Sequence, residues 1–104
     1  MQKLIDGKLY DTNEAELIAS WSTFQDKRDF NFFEEKLYRT ESGAWFLYGS
    51  GGASSKYSQP AASGGMTGGE DIRPLSESEV FEWCERRNQV EVALEYFPDM
   101  VEPA

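Results

Sequence analysis

Residues Asn31 to Gly49, NFFEEKLYRTESGAWFLYG, constrain the fold more than any other stretch. Six aromatic side chains flank a Glu41-Ser42-Gly43 turn, and a three-residue turn with Gly43 in the left-handed region joins two antiparallel strands. That geometry pairs Thr40 with Ala44, Tyr38 with Phe46 and Leu37 with Leu47. Side chains on a strand alternate between faces. One face of the hairpin then carries Leu37, Arg39, Trp45 and Leu47, and the other Lys36, Tyr38, Phe46 and Tyr48. Large side chains on both faces place the hairpin at the centre of its sheet, with helices over one face. The aromatic second face is either core beneath an N-terminal hairpin or a surface for a partner.

The flanking segments complete an α+β plan: a small antiparallel sheet with a central hairpin, helices on one face and a long Gly/Ser-rich loop. Lys3 to Tyr10 reads as a short hairpin, because Asp6-Gly7 suits the two positive φ angles of a type I′ turn. A helix is expected over 13–22, capped by Asp11 or Thr12, with Leu17, Ile18 and Trp21 on one side. Gln25 to Asn31 is a polar connection anchored by Phe24 and Phe30. Residues 50–70 hold six of the nine glycines and read as a mobile insert tethered near its start by Tyr57.

Asp71-Ile72-Arg73 offers a strand ended by Pro74. Ser76 and Glu79 then form a capping box, with Leu75 and Val80 as its hydrophobic staple. The helix runs to Arg87, burying Val80, Phe81 and Cys84 and leaving Trp83 at the margin. A second helix from Gln89 to Phe97 presents Val90, Ala93, Leu94 and Phe97 on one side. Residues 98–104, holding Pro98 and Pro103, form a tail. All 104 residues fit one domain.

Several kinds of chemistry lack their residues. The chain has no histidine and one cysteine, so Ser-His and Cys-His nucleophile pairs, imidazole zinc sites and internal disulfides have no basis. Cys84 reads as a small core hydrophobe. The glycine segment GSGGASSKY departs from a phosphate-binding loop, because Ser55 precedes Lys56 and Tyr57 follows it. Glu34 and Glu35 are adjacent on a strand and point to opposite faces, which does not suit paired acid–base work. Glu70 and Asp71 lack the spaced oxygen ligands of a calcium loop. No catalytic residue, metal or cofactor is expected. No run reaches the roughly 18 apolar residues of a membrane span, and MQKLIDGKLY lacks the apolar core of a secretory signal, so a cytoplasmic location is expected.

The net charge is −9, and its placement is uneven. Residues 1–69 carry nine acids against seven bases, and residues 70–104 carry ten against three, a balance of −7 in the last third. Such a surface opposes direct nucleic-acid binding and attracts a basic protein. Residues four apart on a helix rise about 6 Å, on the scale of phosphates along a nucleic-acid strand. Glu91 and Glu95 have this spacing, and Glu79, Glu82 and Glu85 climb in steps of three. These five are the candidate partner-binding residues; plain solvated helix faces are the alternative.

Three segments, IDGKLYDTNEAELIASW, FEEKLYRTESGAWFLYGSGGASSKY and IRPLSESEVFEW, resemble a family of small accessory proteins carried by phages and conjugative elements, akin to anti-CRISPR proteins. The resemblance spans roughly residues 4–83 and assigns no role to individual residues. It implies a non-enzymatic inhibitor in a bacterial host cell, binding a CRISPR–Cas effector subunit and obstructing target DNA. The second expectation is a mobile-element accessory binding another host, transfer or replication protein through the aromatic face or the 50–70 segment.

Overall fold

The computed structural model describes residues 1–23 and 26–104; the expected anchor Phe24 lies outside them. Among the described residues eight strands come first: β1 (Gln2–Ile5), β2 (Lys8–Asp11), β3 (Glu16–Ser22), β4 (Phe33–Arg39), β5 (Trp45–Gly51), β6 (Gln59–Pro60), β7 (Met66–Thr67) and β8 (Gly69–Leu75). Helices α1 (Glu77–Arg87) and α2 (Val90–Tyr96) follow, then a 3-10 turn at Pro98–Met100. The main sheet is antiparallel, in the order β3-β4-β5-β8, so the expected hairpin supplies its two central strands. Its register pairs Tyr38 with Phe46 and Leu37 with Leu47. Gly43 sits at φ +91°, and the Thr40 amide donates to the Ala44 carbonyl at 2.8 Å.

Both faces of the central hairpin are core. Leu37, Trp45 and Leu47 pack with Val80, Trp83, Cys84, Val92 and Phe97 beneath the helices. Tyr38, Phe46 and Ile72 pack with Tyr10 on the opposite face, where Phe46 stacks on Tyr38. The β1–β2 hairpin covers that aromatic face, turning through Asp6 and Gly7 at φ 51° and 75°. Of the two roles open to this face, burial is the one the fold uses.

Residues 16–22 form strand β3, contrary to the helix expected over 13–22. The start of that segment does behave as a cap: Asp11 accepts the Asn13 amide, and its carbonyl accepts those of Glu14 and Ala15. The chain then turns into the sheet because β4 presents a row of backbone groups that a helix could not satisfy. Leu17 pairs with Tyr38, Ala19 with Leu37 and Trp21 with Glu35, with a register shift between Leu17 and Ala19.

Four smaller expectations also change. Phe30 is exposed and anchors through its backbone, which accepts the Ser54 amide. Strand β8 passes through Pro74 because that residue lies on the sheet edge, where no ladder bond needs its N–H. Trp83 is fully buried instead of marginal, while Phe81 is only partly covered. In α2 the buried position is Val92, with Phe97 buried just past its end, and Val90 and Leu94 are about half exposed. The left-handed Asn88 ends α1 and redirects the chain into α2. The capping box is present: the Ser76 hydroxyl accepts the Glu79 amide, and the Glu79 carboxylate accepts the Ser76 amide.

Candidate functional site

Five expected site residues lie on the two helices. All five, Glu79, Glu82, Glu85, Glu91 and Glu95, are exposed, and none belongs to an ion pair among the described residues. They do not form one row. Glu79 is engaged by its own helix cap, and the Ser76 backbone and side-chain contacts hold its carboxyl below the usual range. Glu85 borders an apolar groove of about 220 Å³ between α1 and α2. Glu91 and Glu95 instead join Glu16 around a cleft of about 390 Å³ between α2 and β3. The structure therefore brings Glu16, Glu91 and Glu95 together and leaves Glu79 and Glu82 outside that group.

A second constellation surrounds Glu35, a strand residue whose side chain is 1% exposed. On β4, Phe33, Glu35 and Leu37 alternate onto the helix-covered face, and Gly49 stands opposite Glu35 on β5. A side chain at Gly49 would collide with the Tyr57 ring, which fills that space. The same turn brings in Lys56. The Tyr57 hydroxyl donates to Glu35 Oε2 at 2.6 Å, and Lys56 Nζ to the same oxygen at 3.1 Å. From α1, Trp83 Nε1 and Arg87 Nε each donate to Oε1 at 3.0 Å. The Arg87 guanidinium also lies 3.8 Å from the Trp21 ring centroid, so β3 closes the cluster.

Burial pushes the Glu35 carboxyl up, but hydrogen bonds from Tyr57, Trp83 and Lys56 outweigh it and hold the pKa at about 2. Burial and the adjacent Glu35 push the Tyr57 phenol well above its ordinary value. Near neutral pH the pair is thus a fixed carboxylate and a fixed neutral phenol. With both carboxylate oxygens occupied, the group is a poor proton acceptor and a strong anchor. Its geometry ties together β3, β4, the 52–58 turn and α1.

Sequence reasoning named Tyr57 as a tether and weighed Glu35 only beside Glu34; it did not join Glu35 to its donors. The available signal was a carboxylate between Phe33 and Leu37 on a face crowded with apolar side chains, where a charge requires partners. The glycines of GSGGASSKY have a steric role: Gly49 admits the Tyr57 ring, and Gly51 and Gly52 admit Phe33 with Ser55 and the Phe30 backbone. Among the described residues no group of three or more acidic or cysteine side chains is arranged to hold a metal, and no helix is long and apolar enough to cross a membrane.

Comparison with protein-family models, curated proteins and solved structures finds no match.

Proposed function

We propose that the protein is an anti-CRISPR-type inhibitor. It binds a basic surface of a bacterial Cas effector complex and blocks target DNA, its helical glutamates standing where phosphates would lie. The supporting observation is the exposure of Glu82, Glu85, Glu91 and Glu95 on two consecutive helices, without an intramolecular cation on any of them among the described residues. Exposed carboxylates without an intramolecular cation can meet the cations of a partner, and the −7 balance of residues 70–104 steers a basic groove toward them. The resemblance to mobile-element accessory proteins supplies the partner class.

In the alternative reading, another host, transfer or replication protein is the target. The aromatic sheet face is buried under β1–β2, so that reading depends on the 50–70 segment or on the same helices. Plating of phage on CRISPR-immune cells tests the primary reading. Expression of the protein is expected to restore plaque formation and to prevent the purified effector from retaining target DNA. Unchanged immunity across cells carrying different CRISPR types would contradict it.

A further inference from the structure

The two edges of the main sheet are finished differently. In an antiparallel ladder, backbone groups point alternately into and away from the neighbouring strand. The Thr40–Ala44 hydrogen bond and the β4–β5–β8 register turn Glu70, Ile72 and Pro74 outward on β8. That edge is partly closed at each of these positions. Gln59 donates to the Glu70 carbonyl and Lys3 to the Ile72 carbonyl, and Pro74 has no N–H.

On β3, the Thr23–Phe33 bond fixes the opposite phase and turns Ser20 and Ser22 outward. Both are exposed, and among the described residues no side chain caps their backbone groups. The edge carries no proline or lysine; its one irregularity is the register shift between Leu17 and Ala19.

We infer that β3 is a docking edge that takes an extended, basic segment of a partner protein as a fifth strand. The charge around the edge selects the occupant. Glu16, Glu91 and Glu95 surround the cleft on the helix side of β3 with no cation among its described lining residues. Arg39 stands opposite Glu16 with its guanidinium over the Tyr96 ring at one end, and on the other face Lys36 lies beside Ser20 and Glu34 beside Ser22. A strand placed here meets three carboxylates with its helix-side residues, which suits lysine or arginine at alternate positions. A second copy of this chain is disfavoured, because β3 pairing with itself brings both sets of carboxylates to one seam. The inference rests on the reading of the helical glutamates as a partner surface and adds the backbone that positions the partner.

The test uses the intact protein and three synthetic nine-residue peptides: alternating lysine and valine, the same sequence N-methylated at alternate amides, and alternating glutamate and valine. The lysine–valine peptide is expected to slow hydrogen exchange at the Ser20 and Ser22 amides at least tenfold, and the other two to leave it unchanged. Ser20→Pro is expected to abolish that binding, as Pro74 closes the opposite edge, while Ser20→Ala retains it. Should Ser20→Pro fail to fold, protection of the wild-type amides carries the result. Equal binding of the N-methylated peptide, or protection without change at Ser20 and Ser22, overturns strand addition while leaving the charge reading intact. Equal binding of the glutamate peptide overturns the basic occupant, and with it the charge reading. Self-association of the free protein that Ser20→Pro removes would assign the edge to a second copy and overturn the inference.

Discussion

Glu35 and the pair Glu91 and Glu95 are the same side chain in opposite circumstances. Glu35 is 1% exposed and is held by Tyr57, Lys56, Trp83 and Arg87. Glu91 and Glu95 are exposed beside a cleft, with no cation among its described lining residues. A buried carboxylate with saturated oxygens organises the chain around itself and offers nothing to a partner. A solvated one adds little to the fold and remains free to meet an external charge. The contrast separates stability from binding, and each half can be broken separately.

The largest expected effect comes from Glu35→Ala. It leaves Arg87 and the Trp83 N–H without their buried acceptor, and losses from breaking a buried pair run to about 3–5 kcal/mol. Chemical denaturation should show this loss. A cost below about 1 kcal/mol would mean that the cluster is decorative.

The same site predicts an acid limb of stability. The folded pKa of Glu35, about 2, lies below its ordinary value of 4.5. The stabilisation is therefore complete above pH ~4.5 and is lost as pH falls toward 2. The shift corresponds to about 3 kcal/mol. Denaturation curves between pH 6 and 2 should reveal it, and Glu35→Gln should flatten the slope.

Gly49→Ala should cost about 1–3 kcal/mol, because the added methyl displaces the Tyr57 ring. Thermal unfolding measures it, and Tyr57→Ala should relieve the clash in the double variant. Ser76→Ala removes the α1 cap at a cost of about 1 kcal/mol. The smallest effect on stability belongs to Glu91→Lys with Glu95→Lys, within about 0.5 kcal/mol per site, although the effect on binding should be large.

The legible parts of the sequence were those in which local chemistry and tertiary position agree. The Asn31–Gly49 hairpin combines alternation, a glycine turn and bulky residues on both faces. The Ser76–Glu79 box is complete within four residues. Residues 16–22 were not legible, because Leu17, Ile18 and Trp21 satisfy a helical spacing while the unpaired edge of β4 decides the outcome. Trp83 was assigned to a margin because nothing local reveals that its N–H reaches a carboxylate 48 residues earlier. Glu35 was hidden for the same reason: its donors come from Lys56 and Tyr57 in a loop and from Trp83 and Arg87 in a distant helix. Exposure of the five helical glutamates follows from their positions opposite the buried ones. The separation of Glu85 from Glu91 and Glu95, which border different clefts, depends on the left-handed turn at Asn88.

The central claim is that exposed helical charge carries function while buried charge carries the fold. Phage plating in CRISPR-immune cells expressing the Glu91→Lys, Glu95→Lys variant tests it most directly, with the melting curve of the same variant measured in parallel. The account predicts loss of protection of the phage with a melting temperature close to that of the parent. Undiminished protection by a folded charge-reversed variant would contradict it.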